Sequence, residues 1–227
     1  MTAAKALAFS DLHGGGAVVI EKADALGWFE AANFVVTLGD CLLNEVEQIV
    51  NCANRVLEDN GSLDRDDWGS DSHLGFLGAV AGNHDLVLEV SSCPYFLSDG
   101  DVVSLDSLHL TCAAFSGGPR YKANPSYLLR GQDEASRAME RFPPVDVLLA
   151  HEAGFHWLGD DAAHEGFLAI DDYLTRARPQ WFLFGHHHIS LQFDARRFVP
   201  QTETRCVCVY GAALIDFGSG SVDCIEP

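Results

Sequence analysis

The chain has 227 residues, 48% of them hydrophobic and 21% charged, enough for one well-buried core, and a single domain over 1–227 is expected. Its 33 acidic residues against 14 Lys and Arg leave a formal charge of −19, which repels long polyanions and makes DNA or duplex RNA a poor partner. No run approaches the roughly 18 consecutive apolar residues of a membrane span, and "AKALAF" is too short for an export signal, so a cytoplasmic protein with no membrane partner is expected.

"KALAFS" ends an apolar run in a polar turn and predicts a buried strand. Val19, Ala23 and Leu26 follow at helical spacing, and "NFVVTLG" predicts a second strand. Asn44 with Glu47 has the spacing of a capping box, opening a helix whose apolar face is Val46, Ile49, Val50, Ala53 and Leu57. Beyond it, the acidic stretch 58–73 reads as a long surface loop, with disorder favoured over a lid anchored by Trp68. "FLGAVAG" predicts a third strand, and "DVVSLDSLHLTCAAF" predicts an antiparallel pair turning at Asp106 and Ser107.

After the loop "SGGPRYKANPSY", Ala135, Ala138, Met139 and Phe142 mark a helix stopped by Pro143 and Pro144. "VDVLLA" is a strand; Phe167, Ile170, Leu174 and Ala177 stripe a further helix before Pro179; "WFLFG", "RCVCVY" and "AALIDF" are β. The seven cysteines form no CxxC pair. Cys206 and Cys208 share one strand face, where a metal or a reactive pair is conceivable, but reduced, packed thiols are the favoured reading.

Five predicted strands end at once in side chains able to bind metal. Asp11 and His13 follow "ALAFS", Asp40 follows "VVTLG", Asn83, His84 and Asp85 follow "GAVAG", His151 follows "VLLA", and His186, His187 and His188 follow "WFLFG". Loops at strand ends are held by the rigid sheet, so donors far apart in sequence can converge there. Strand alternation would point Asp11 with His13, and His186 with His188, to one side, leaving Leu12 and His187 turned away. Gly39, Gly82 and Gly185 stand where the backbone must turn tightly beside the site.

In this order, Asp-x-His, Gly-Asp, Gly-Asn-His-Asp, His and Gly-His-x-His resemble the calcineurin-like metallophosphoesterase superfamily, a match running from Asp11 to His188. The resemblance implies an α/β fold: a four-layer α-β-β-α sandwich of two mixed β-sheets flanked by helices, with two divalent metal ions at the strand ends. It places Asp11, His13 and His188 on one metal and Asn83, His151 and His186 on the other, with Asp40 bridging. A donor set of nitrogen and oxygen suits Mn²⁺ first, and Fe, Zn²⁺, Ni²⁺ or Co²⁺ as well. Two cations about 3.5–4 Å apart would turn a shared water into hydroxide and neutralise charge on a phosphoryl group. His84 would be the catalytic donor to a substrate oxygen, and Asp85 would orient its ring.

Within that superfamily, serine/threonine phosphatases carry arginines beside the Gly-Asp and Gly-Asn-His motifs, whereas Ala81 and "CLLNE" stand here. Purple acid phosphatases use a metal-binding tyrosine that the first region lacks, and the acidic charge disfavours double-strand-break nucleases. The expected activity is hydrolysis of a small phosphodiester, a nucleotide or similar phosphorylated substrate. A phosphomonoesterase, a non-catalytic scaffold of the retromer-subunit kind, and a mononuclear hydrolase are the alternatives. Arg120 is a candidate phosphate contact or an exposed loop cation, and His73, His109, His156 and His164 are expected at surface or packed positions. Oligomeric state is left open by the sequence.

Overall fold

The computed structural model describes residues 4–59, 75–159 and 161–227. The expected loop at 58–73, with Trp68 and His73, lies outside them except for its first two residues, which end a helix. In chain order the elements are β1 (Lys5–Ser10), α1 (Gly16–Ala25), α2 (Trp28–Ala31), β2 (Phe34–Leu38), α3 (Leu43–Asp59), β3 (Gly75–Val80), α4 (Val87–Ser92), β4 (Val102–Leu105) and β5 (Leu110–Phe115). Then come β6 (Gly118–Pro119), β7 (Leu129–Arg130), α5 (Gln132–Met139), β8 (Val147–Ala150), α6 (Leu168–Ala177), β9 (Trp181–Phe184), β10 (Leu191–Asp194), β11 (Arg205–Cys208), β12 (Gly211–Asp216) and β13 (Val222–Ile225).

Two mixed sheets result, in the orders β13-β12-β1-β2-β3 and β10-β11-β9-β8-β5-β4. In the first, β1, β2 and β3 run parallel; in the second, β5, β8, β9 and β11 do. Period-two alternation sorts their side chains into three apolar layers. On β1, Leu7 and Phe9 face α1, α2 and α3, while Ala6 and Ala8 face the second sheet, where Val147, Leu149, Leu183 and Val207 meet them. Leu148, Phe182 and Phe184 face α5 and α6 on the far side. This is the expected four-layer α-β-β-α sandwich. No helix among the described residues is long and apolar enough to cross a membrane.

The expected capping box at Asn44 and Glu47 is corrected by the structure. Helix α3 begins at Leu43, Asn44 is a residue within it, and the buried carboxylate is Glu45. Its Oε2 accepts the Leu42 N–H at 2.8 Å and its Oε1 the Gly16 N–H at 2.7 Å, so one side chain ties the openings of α3 and α1. Cys206 and Cys208 are free and buried among apolar side chains, and burial pushes both thiols well above their usual range, as packed, inert cysteines require.

Leu183 is fully buried between the sheets, and truncating it leaves a hole that rigid strands cannot close. Leu183→Ala is expected to cost about 2–5 kcal/mol in urea unfolding. Leu88→Ala, at a position 82% exposed on α4, is expected to stay within about 0.5 kcal/mol of the parent. Equal effects would contradict this layering.

Candidate metal centre

The parallel strands β1, β2, β3, β8 and β9 all stop at the same edge of the sandwich, and their loops are bonded to one another rather than left free. Asp11 N–H donates to the Gly39 carbonyl at 3.0 Å, His13 N–H to the Asp40 carbonyl at 3.2 Å, and Gly185 N–H to the His151 carbonyl at 3.0 Å. From the second sheet, His186 N–H reaches across to Asp11 Oδ2 at 2.7 Å. The close approach excludes side chains: a Cβ on Gly185 would run into Ser10 Oγ and Asp11, and one on Gly82 into Asp40.

Among the described residues, eight non-glycine positions have positive φ, and five are the predicted ligands Asp11, His13, Asp40, His186 and His188. L-residues adopt this left-handed region at a cost of roughly 1–3 kcal/mol each, and such strain persists where function requires it. It also corrects the expected reason for the Asp-x-His and His-x-His spacing. These residues do not continue an extended strand with alternating faces; sharp left-handed turns aim them. Leu12 and His187 are turned away as expected, Leu12 into the apolar layer under the first sheet and His187 toward Glu152.

All seven predicted ligands converge. His13 Nε2 and His188 Nε2 lie 3.2 Å apart, with Asp11 Oδ1 at 3.8 and 3.6 Å from them. His151 Nε2 lies 3.0 Å from Asn83 Oδ1 and 3.2 Å from His186 Nδ1. Asp40 Oδ2 stands between the two groups, 3.9 Å from His13 Nε2 and 3.6 Å from His151 Nε2. Three of these side chains are held by their other polar atom. His151 Nδ1 is fixed on the Leu38 carbonyl at 2.8 Å, Asp40 Oδ1 accepts the His84 N–H at 2.8 Å, and Asp11 Oδ2 accepts from Ser10 Oγ at 2.7 Å.

Asp11 Oδ1 and Asp40 Oδ2 are buried, have no hydrogen-bond partner among the described residues, and both point at histidine nitrogens, as a site for a metal pair requires. Burial, with Asp40 beside it, pushes the Asp11 carboxyl well above its usual range. Burial also lowers His151, His188 and His186, the last to about 4, so these imidazoles are neutral and able to ligate near pH 7. Paired anions without a counter-charge, ringed by neutral imidazoles, are complementary to divalent cations, and the donor groups Asp11/Asp40/His151/His186 and Asp11/His13/His188 are compact enough to hold them.

His84 is exposed at the mouth, its ring edge-on to His13 at 5.6 Å and to Tyr127 at 5.7 Å. Asp85 does not orient that ring: its Oδ2 instead accepts the backbone N–H of Gly82 at 2.6 Å and of Asp40 at 3.1 Å, because its buried side chain turns back under the loop. Arg120 is the exposed loop cation, paired with Glu134 at 2.6 Å. His109 and His156 are exposed, whereas His164 packs against His186 with ring centroids 4.8 Å apart, closer to the site than a surface reading implies. Sequence reasoning missed Tyr127, Tyr210, whose ring stacks on His188 at 5.3 Å, and Glu152, fully buried beneath His186 and His187. Only for Glu152 was there a signal, its place next to His151.

No protein-family model and no curated protein matches the chain. Solved structures do. TT1561 of Thermus thermophilus is 13% identical, with a TM-score of 0.62 over 98% of each chain. A dimetal phosphatase from Danio rerio is 12% identical, with a TM-score of 0.56 over 94% of this chain and 92% of that one. The chain shares their fold. The four-layer architecture implied by the calcineurin-like resemblance is therefore borne out by these structures as well as by the sheets themselves.

Burial and the Asp40 charge push Asp85 up to about 7. The folded chain thus holds this proton more tightly than the unfolded chain, whose carboxyl titrates near pH ~4. Ionising it costs stability that is intact below about pH 4, declines up to about pH 7 and is constant above. Asp85→Asn keeps an oxygen for the two amides and removes that loss. In metal-free protein, its melting temperature relative to wild type is expected to rise from pH 4 to pH 7 and then level; a gap independent of pH would contradict the assignment.

Proposed function

We propose that the chain is a two-metal phosphoesterase acting on a small phosphodiester, a nucleotide or similar molecule. The observation that carries this reading is the pair of buried carboxylate oxygens, Asp11 Oδ1 and Asp40 Oδ2, unpartnered among the described residues and set among the nitrogens of four histidines. Asp11, His13 and His188 would hold one divalent ion, Asn83, His151 and His186 the other, and Asp40 both, with Mn²⁺ the first choice. Such a pair supplies a nucleophile from water and charge neutralisation at the phosphorus.

The chain's own residues supply the rest. His84, its backbone N–H anchored on Asp40 and its ring exposed beside His13, would donate a proton to the departing oxygen. Asp85 keeps the Gly82 and Asp40 backbone in place and so acts as a positioning residue. Diester preference follows from charge. Arg120 and Arg130, at either end of the neighbouring loop, are spent on Glu134 and Asp99, Lys122 between them lies over the Tyr127 ring at 4.5 Å, and a chain of formal charge −19 meets a singly charged diester at less cost than a dianionic monoester.

The protein loaded with Mn²⁺ is expected to hydrolyse bis-p-nitrophenyl phosphate with a higher kcat/KM than p-nitrophenyl phosphate, and to stop when a chelator is added. His84→Ala should lower kcat by about 10²–10⁴-fold while two ions per chain are retained. Failure to cleave either ester with Mn²⁺, Fe²⁺, Zn²⁺, Ni²⁺ or Co²⁺ would refute the reading; a monoester preference would overturn only its substrate class.

A further inference from the structure

Glu152 directly follows His151, is completely buried, and has no part in the steps above. Its Oε1 accepts the Ala153 N–H at 2.7 Å and meets His187 Nε2 at 2.9 Å. Its Oε2 has no hydrogen-bond partner among the described residues, and lies 3.3 Å from His186 Nε2. The opposite nitrogen of that ring, Nδ1, faces the donor cluster, 3.2 Å from His151 Nε2. His186 and His187 are the only ion-pair partners of Glu152 among the described residues.

A carboxylate taken out of water costs several kcal/mol unless an opposite charge faces it. Neither imidazole offers a permanent charge. A cation held on His186 Nδ1 would supply one: it would draw charge from the ring and leave Nε2, 3.3 Å from Oε2, more positive. We propose that Glu152 is a positioning carboxylate for the second metal, acting through His186 by placing a negative charge behind the ring whose Nδ1 faces the donor cluster. The inference rests on the two-metal reading. His187, bonded to the other oxygen, fixes the carboxylate's orientation. The Ala163 carbonyl takes the His186 Nε2 hydrogen, at 2.7 Å, and sets the tautomer. What Glu152 adds is charge, and its removal should therefore act on metal affinity more than on folding.

Glu152→Gln preserves shape and deletes that charge. Full-length wild type and variant, stripped of metal, would be titrated with Mn²⁺ against a fluorescent chelator, and their metal-free unfolding temperatures compared. Wild type is expected to bind two ions. In the variant one site should weaken about 10–100-fold, the other should hold, and the metal-free unfolding temperature should not fall. Glu152→Asp, which retains the charge, should lie between the two. Unchanged affinity at both sites overturns the proposal, as does an Asp variant no better than Gln, or a loss of metal-free stability with affinity unaltered, since each assigns Glu152 to packing. A wild type that binds no Mn²⁺ overturns the two-metal reading and this inference with it. A wild type that binds two ions and cleaves no ester overturns the function alone, leaving the Glu152 comparison valid.

Discussion

Two aspartates, Asp11 and Asp40, turn one buried oxygen each to a place where no donor among the described residues meets it. The remaining carboxylate oxygens are satisfied: Ser10 and the His186 N–H take the second oxygen of Asp11, and the His84 N–H that of Asp40. Buried anions left this way are unstable as a pair, and the upward push on Asp11 records the cost. Their mutual repulsion is the constraint from which the rest of the centre follows. It calls for positive charge between them, and the imidazoles of His151 and His186, kept neutral by burial, provide lone pairs and not charge.

The fold is what makes so unfavourable an arrangement sustainable. Parallel strands from two sheets end on one edge, and cross-loop hydrogen bonds from Asp11, His13, Gly185 and His186 lock those ends together. The left-handed conformations at five of the proposed ligand positions add strain that only a well-packed scaffold can bear. That scaffold is the apolar layer between the sheets and the two helix-covered layers outside it. Glycine at 82 and 185 lets the loops approach until backbone touches carboxylate.

Much of this was legible in the sequence because the strands are short, continuous apolar runs and the donors follow each run immediately. "KALAFS" and "NFVVTLG" gave β1 and β2 nearly to the residue, the strand ends marked the side chains that converge, and the family resemblance singled out the seven proposed as ligands. Other features depend on tertiary contacts. Asn44 and Glu47 have capping spacing, yet the burial of Glu45 against the start of α1 decides where α3 opens. The short elements α2, α4, β10 and β13 carry too few periodic residues to stand out. Asp85 was expected at the His84 ring and is found on two backbone amides, a choice fixed by how the loop folds under itself. Glu152 reads as an ordinary acidic residue until the chain is folded, when two histidines from β9's loop close over it.

Anomalous diffraction at the manganese edge, from crystals grown with Mn²⁺, addresses the central claim most directly. Two peaks are predicted, one ligated by Asp11, His13 and His188 and one by Asn83, His151 and His186, with Asp40 Oδ2 touching both. A map with no peak against Asp40, or with Asp11 Oδ1 and Asp40 Oδ2 bonded to protein donors instead, would contradict the account.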